Sequence, residues 1–428
     1  MVHTRDRHPS ILQYAILKSA ILLSLSVPAF AQQNAADIGP RLLQDATVRA
    51  ALEAAERNEP QILEEQVRLC EIPAPPFKEQ ARAEALRKTF EELGLKNVRI
   101  DAEGNVLGER PGMAERPNLV FSAHLDTVFP EGTDVRVRRE GTLFRAPGIG
   151  DDCRGLAVML GVIRALKDAG VQTPGSITFA GTMGEEGLGD LRGVRRLFNE
   201  TLKGRVDRFV SVDGTGWGIT HIGVGSYRYK ITFKGPGGHS YGAFGLVNPI
   251  HALGRAIAAI ADFQVPTEPK TTFNVGRIGG GTSVNSIAFE AWMEVDMRSS
   301  DLASLKSVDA NLHKAIDRAL EAENARWSEG RLTVDRTLVG ERPAGRTAAG
   351  SPIVLAAVSV TRAVGGPISL DEGSTDSNIP MSLGIPGITV DGGGRGSGAH
   401  SLAETFDSTD SWKGTQRAVL LAIALTQR

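Results

Sequence analysis

Leu119-Val120-Phe121-Ser122-Ala123-His124-Leu125-Asp126-Thr127-Val128 is an apolar run that ends in a histidine and an aspartate two residues apart. Side chains two apart on a strand share one face, so His124 and Asp126 arrive together at the end of a buried strand read over Leu119 to Ala123. Gly181-Thr182-Met183-Gly184-Glu185-Glu186-Gly187 repeats the arrangement after the apolar stretch Ser176 to Ala180. Asp213 does so after Arg208 to Val212. Helical stretches, Leu156 to Ala169 and Leu191 to Leu202, fall between these runs. Such alternation predicts an α/β fold with a mostly parallel mixed sheet flanked by helices. Ligands in open sheets of this kind gather at the carboxyl ends of strands.

Before this core, residues 41–70 and 77–95 show helical spacing, the second stopping at Gly94. From about Gly225 the pattern changes. Tyr227 to Lys234 alternates as a half-exposed strand, and Asn248 to Phe263 has helical period. Strands follow at Thr271 to Ile278 and Ile287 to Arg298, then a long helix at Leu302 to Trp327 and a strand at Arg331 to Val339. That order, β-α-β-β-α-β, is the ferredoxin-like unit. Helix resumes over Ile353 to Val364, Gly387 to Val390 reads as a buried strand, and Ser408 to Gln427 as a closing helix. The expected organisation is a catalytic domain in two parts, 32–225 and 341–428, interrupted by an inserted ferredoxin-like α+β domain at 226–340.

The 428 residues are 41% hydrophobic and 23% charged, with a formal net charge of -2. No basic excess points to nucleic acid, and near-neutral charge argues against electrostatic docking on membranes. Arg5 and Arg7, the apolar stretch Ala15 to Val27 and the small-residue site Ala29-Phe30-Ala31 read as a signal peptide over 1–31, cut after Ala31. The apolar stretch is short for a bilayer and broken by Lys18, and no second stretch is long enough to span. A soluble, exported protein is expected, periplasmic or secreted. Two cysteines, Cys70 and Cys153, make no disulfide framework; both read as small buried packing residues.

The polar residues at strand ends carry the chemistry. His124 offers a metal ligand, and Asp126 a second partner that orients its ring. Asp151 and Asp152 stand between Gly150 and Gly155 ahead of a helix, where a capping aspartate explains one of them and leaves the other free to bridge. Adjacent Glu185 and Glu186 point different ways, so one can bind metal while the other acts as general base. Asp213 adds a carboxylate, and His400, after the glycine-rich loop Gly392 to Gly398, a further nitrogen.

This set resembles the dinuclear zinc amidohydrolases that include peptidase T, carboxypeptidase G, aminoacylase, carnosinase and succinyl-diaminopimelate desuccinylase. The likeness runs from about Cys70 to the C-terminus, with five separated segments in order. It implies that His124 and Asp213 hold one metal, Glu186 and His400 the other, and Asp151 bridges them. Glu185 is then the general base, Asp126 orients His124, and the bond after Asp151 is cis. In the cluster Gly235-Pro236-Gly237-Gly238-His239-Ser240, His239 would reach a neighbouring active site in a homodimer and stabilise the oxyanion. Asn285 and Arg298 would help hold substrate, and the inserted domain would serve as lid and dimerisation surface. Cys153 departs from relatives, many of which carry lysine there.

The implied cofactor is a pair of divalent ions, with zinc favoured and cobalt or manganese admitted by an oxygen-rich ligand set. The implied reaction is amide hydrolysis by an activated water, on short peptides as an exopeptidase or on N-acyl amino acids as a deacylase. A metal-dependent peptide-binding protein without turnover is the remaining reading, and Glu185 argues against it.

Overall fold

The computed structural model describes residues 29–427. The proposed signal peptide therefore lies, apart from its last three residues, outside the described residues. Among the latter, no helix is long and apolar enough to cross a membrane.

A nine-stranded mixed sheet forms the frame. Its centre is parallel: Ser176–Thr182, Asn118–His124, Arg208–Val212 and Gly387–Val390 lie side by side in that order. Burial explains the unbroken apolar runs in these strands, because both faces are covered. Leu119, Phe121 and Ala123 point into one core with the helices Ala46–Arg57, Cys153–Asp168, Pro352–Ala363 and Trp412–Leu425. Val120, Ala180 and Phe209 point the other way, against Leu191, Val194, Leu197 and Phe198. The boundaries of these four strands fall within two residues of those read from the sequence.

The margins of the sheet were not anticipated. Lys96–Ile100 and Val106–Arg110 form an antiparallel hairpin on one edge. Gly218–Gly223 runs antiparallel beside Gly387–Val390, and Ser369–Gly373 pairs with it in parallel. These strands are short, charged or glycine-containing, so neither periodicity nor β-propensity marks them. Local details also differ. The helical spacing over 41–70 resolves into Ala46–Arg57 and Glu59–Cys70, with Pro60 at the start of the second. Leu191 to Leu202 is the helix Arg192–Arg196 continued by a wider π-helical turn, Leu197–Thr201.

Residues 225–342 build a separate four-stranded antiparallel sheet in the order Thr271–Gly280, Glu290–Ser299, Gly225–Lys234, Thr333–Arg342. Along Glu290–Ser299, Ala291, Met293, Val295 and Met297 are buried while Trp292, Glu294, Asp296 and Arg298 are half-buried on the opposite face. The buried face packs against the helices Pro249–Ala261 and Leu302–Arg326, in a core of its own. Asn248 and Asp301 cap those helices by accepting from the N–H groups of Ile250 at 2.9 Å and Ser304 at 2.8 Å. The strand read as Ile287 to Arg298 is interrupted. Ser286–Ile287 pairs instead with Gly238–His239 as a two-stranded ladder.

Cys70 and Cys153 are both free and buried, packed with Leu63, Phe144, Ile149 and Phe406.

Phe209 is fully buried in the central strand, with its ring centroid 5.6 Å from that of Phe198. Phe209→Ala is expected to lower unfolding free energy by about 3–5 kcal/mol, measured by chemical denaturation. A loss below about 1 kcal/mol would mean that this face of the sheet is not closely packed.

Candidate metal centre

Because the central strands are parallel, their carboxyl ends share one edge, and the residues following them meet there. His124 closes Asn118–His124; Glu185 and Glu186 follow Ser176–Thr182; Asp213 follows Arg208–Val212. Asp151 arrives on the turn before Cys153–Asp168, and His400 on the loop between Arg395–Ser397 and Thr405–Asp407.

The Asp151 carboxylate stands at the centre. Its Oδ1 lies 2.9 Å from His124 Nε2, and its Oδ2 lies 3.1 Å from His400 Nε2. His400 Nε2 is also 2.9 Å from Glu186 Oε1, and Asp213 Oδ1 is 3.8 Å from His124 Nε2. His124, Asp151 and Glu186 offer ligand atoms within 4.8 Å of one another, as do His124, Asp152 and Asp213. The five side chains expected to converge do so, with Asp151 between two imidazoles.

Asp152 looks like a ligand by proximity, but its oxygens are engaged by the backbone. Oδ2 accepts from His124 N–H at 2.9 Å, and Oδ1 from Gly155 N–H at 3.0 Å, the cap of the following helix. A Cβ on Gly155 would stand 2.2 Å from Asp152 Oδ1 and 2.4 Å from the Val212 carbonyl, so glycine is required there. The Asp151–Asp152 peptide is cis, as the resemblance implies. Asp126 lies beside the His124 ring, as expected, and does more. His124 Nδ1 lies 3.1 Å from the Asp126 main-chain carbonyl and 3.5 Å from its carboxylate. The carboxylate itself accepts from the N–H groups of Glu185 and Glu186, at 2.9 and 2.8 Å. It thus fixes the glutamate loop as well as the ring.

Three residues of the site carried no signal in the sequence. Glu404 accepts from the N–H groups of Gly148, Gly150 and Asp151 at 2.8, 2.8 and 3.0 Å, and so shapes the turn that presents Asp151. Arg342, almost wholly buried, donates to Glu185 Oε1 at 3.2 Å and to the Glu185 carbonyl. Asp376 is fully buried, accepts from Thr182 Oγ1 at 2.5 Å, and has its other oxygen without a partner among the described residues.

The remaining expected residues lie elsewhere. Among the described residues, neither His239 nor Asn285 hydrogen-bonds to the five clustered side chains. Both are exposed, His239 on the small ladder and Asn285 in the turn just before it, where Ser240 N–H donates to the Asn285 carbonyl at 2.9 Å. His239 Nδ1 faces the N–H groups of Tyr241 and Gly242. Arg298 donates to Asp296 at 2.8 Å, Asp296 accepts from Arg228 at 2.9 Å, and Arg228 donates to the Gly187 carbonyl at 2.6 Å. Arg298 therefore makes the strand ion pair and reaches the glutamate loop through two other residues.

The donor set suits hard divalent cations: two imidazole nitrogens and several carboxylates, with no thiolate. Burial raises Asp213 to about 7, Asp376 to about 6 and Glu404 to about 7. Burial also pushes Glu185 well up, with Arg342 pulling against it. Hydrogen bonds to Asp151 and Glu186 carry His400 up to about 10. For Asp151 burial acts upward, but His124 and His400 outweigh it and hold the group low. Such a crowd of carboxylates at one buried edge is relieved by protons or by cations.

Sheet and cluster together define a metal-dependent hydrolase. The sequence model described as Peptidase family M20/M25/M40 matches residues 120–424, and the chain belongs to that family. Succinyl-diaminopimelate desuccinylase of Nitrosospira multiformis is 30% identical over 266 residues, 57% of this chain and 69% of its own. Carboxypeptidase G2 of a Pseudomonas species is 27% identical over 327 residues, 71% of this chain and 75% of its own. Two solved structures show the same fold. Aminopeptidase PepT of Bacillus cereus has a TM-score of 0.70 at 22% identity, covering 86% of this chain and 99% of its own. YXEP of Bacillus subtilis, described as a dinuclear metal binding peptidase from the M20 family, has 0.65 at 17% identity, covering 87% and 99%.

The raised carboxylates give a pH signature. From the ordinary value of 3.8 up to about 7, folded Asp213 keeps a proton that the unfolded chain has released. Asp376 and Glu404 behave likewise up to about 6 and about 7. Stability tied to their neutral forms is complete below the ordinary carboxylate range and is lost as pH rises through these values. His400 adds stability that is complete below its ordinary 6.5 and is lost as pH rises through about 10. The metal-free protein should therefore melt at progressively lower temperature from about pH 5 to about pH 8 by calorimetry. A melting temperature that rises across this window would contradict the burial of these charges.

Proposed function

We propose that the chain is an exported exopeptidase that hydrolyses short peptides at a dinuclear metal centre, with Glu185 as general base. The observation that carries this reading is Asp151 set between His124 and His400, with Glu186 and Asp213 on either side. Each imidazole then has a second acid of its own, which suits two ions sharing one carboxylate. His124 and Asp213 would hold one ion, His400 and Glu186 the other. Two divalent ions held there supply an activated water and a polarised substrate carbonyl. Zinc is favoured, and cobalt or manganese suit the same ligands.

The chain's own residues do the remaining work. Glu185 is buried among the same residues, with one carboxylate oxygen held by Arg342 and the other placed to take the proton of the attacking water and return it to the leaving amine. Asp126 holds the amides on which both glutamates hang, and Glu404 holds the turn that carries Asp151. Residues 226–340 act as an inserted lid, with 32–225 and 341–428 as the two parts of the catalytic domain. Exposed Tyr241, Phe244 and Val284, at 89%, 79% and 103%, flank His239 and Asn285 and support a second copy docking there. In that homodimer the partner copy would bring its histidine to the oxyanion, while Arg298 and Asn285 help hold substrate. The arginine-rich start, apolar stretch and small-residue site support removal of 1–31 and a periplasmic or secreted location.

A second reading, removal of an acyl group from an N-acyl amino acid, is favoured by the desuccinylase relative.

A panel of dipeptides, tripeptides and N-acyl amino acids separates these readings. Turnover of the peptides with little on the acyl substrates is expected, abolished by chelator and restored by zinc, cobalt or manganese. Preference for N-acyl amino acids would establish the second reading, and chelator-insensitive turnover would exclude both. Glu185→Gln should retain metal and lose at least about a hundredfold in kcat; parental rates would remove Glu185 from its role.

A further inference from the structure

We infer that Arg342 is a positioning residue through which the antiparallel unit sets the Glu185 carboxylate in place. This rests on the reading of Glu185 as the base. Arg342 is the last residue of Thr333–Arg342, the edge strand of the second sheet, yet its guanidinium lies in the first sheet's site. One nitrogen, Nη1, meets Glu185 Oε1 at 3.2 Å and Ser374 Oγ at 3.1 Å. The other, Nη2, donates to the Glu185 carbonyl. Side chain and main chain of one glutamate are thus held by one planar fork, a geometry a lysine cannot reproduce.

The grip is local and comes from one direction. Glu185 and Arg342 side chains are only 6% and 4% exposed, so water does not dilute the pair. Arg342 takes one carboxylate oxygen, Oε1, and among the described residues no hydrogen bond engages Oε2, the atom available for a proton. Further ties run between the same two parts of the chain. Asp190 Oδ1 accepts from Glu341 N–H at 2.9 Å, Arg195 donates to the Glu341 carbonyl, and Arg228 of Gly225–Lys234 donates to the Gly187 carbonyl at 2.6 Å. The whole loop from Glu185 to Asp190 is therefore pinned to the second sheet. Any shift of that sheet moves Arg342 and with it the base.

Among the described residues the hydrogen bonds of Arg342 go to Glu185 and Ser374 and to none of the five ligands, so its removal should leave metal content intact while misplacing the base. Misplacement of a reacting group by about 1 Å can cost about a hundredfold. The test compares Arg342→Met and Arg342→Lys, in the parent and in Glu185→Asp, on the best substrate of the panel. Expected for Arg342→Met are two metals per chain, KM within threefold of the parent and kcat down about a hundredfold. Arg342→Lys should recover about tenfold of that loss, since one of the two contacts can re-form. In Glu185→Asp, whose carboxylate is too short for the grip, adding Arg342→Met should cost less than about threefold. In metal-free protein, amide exchange of residues 185–187 should quicken about tenfold in Arg342→Met, a readout independent of turnover.

Should Arg342→Met fail to fold, Arg342→Lys decides alone: kcat about tenfold down with KM unchanged supports the role. A rise in KM with kcat preserved would make Arg342 a substrate contact and overturn it. Arg342→Met turning over within threefold of the parent while Glu185→Gln is inactive overturns this inference alone. Glu185→Gln at the parental rate marks failure of the base assignment, and overturns this inference with it.

Discussion

The Asp151 carboxylate meets an imidazole on each oxygen, His124 on one and His400 on the other, and the rest of the site is arranged around that junction. Gathering Glu185, Glu186, Asp213 and Asp376 around it concentrates negative charge where solvent cannot disperse it. An unpaired buried ion costs several kcal/mol, so the surroundings must answer each carboxylate. Here the answer is mostly backbone. Asp126, Asp152 and Glu404 each accept from two or three main-chain N–H groups. Arg342 is the cation in direct contact with Glu185.

That arrangement follows from the sheet. Parallel strands bring His124, Glu185, Glu186 and Asp213 to one edge, and helix Cys153–Asp168 begins at that edge with Asp152 as its cap. The same aspartate that starts the helix ties down the His124 amide. One aspartate thus joins the helix start to the strand that carries His124. The second sheet touches this edge through Arg228, Glu341 and Arg342, so the position of Glu185 depends on both sheets.

Much of this was legible in the sequence, for a physical reason. A histidine or acid directly after a run such as Phe209-Val210-Ser211-Val212 is hard to explain as solvated surface, because the strand before it is buried. Five such residues converge as expected, and the parallel core appears within two residues of its read boundaries. The supporting residues were silent because they act from irregular or polar contexts. Glu404 sits in a loop, and its role depends on amides of a turn far away in the chain. Arg342 follows Gly340 and Glu341 at the end of an exposed edge strand, where an arginine ordinarily faces water. The edge strands Lys96–Ile100 and Gly218–Gly223 were missed because charge and glycine hide their pattern. Asp126 was read as the partner of a ring, and only the fold reveals that its carboxylate also anchors the glutamate loop.

Metal stoichiometry of Asp151→Asn tests the central claim most directly. An asparagine keeps the volume and the turn but cannot share two anionic oxygens between two cations. Mass spectrometry of metals in the purified protein, with titration calorimetry on the stripped form, should give two ions per chain for the parent and loss of tight binding at both positions in the variant. Retention of two tightly bound ions without the Asp151 carboxylate would contradict the account.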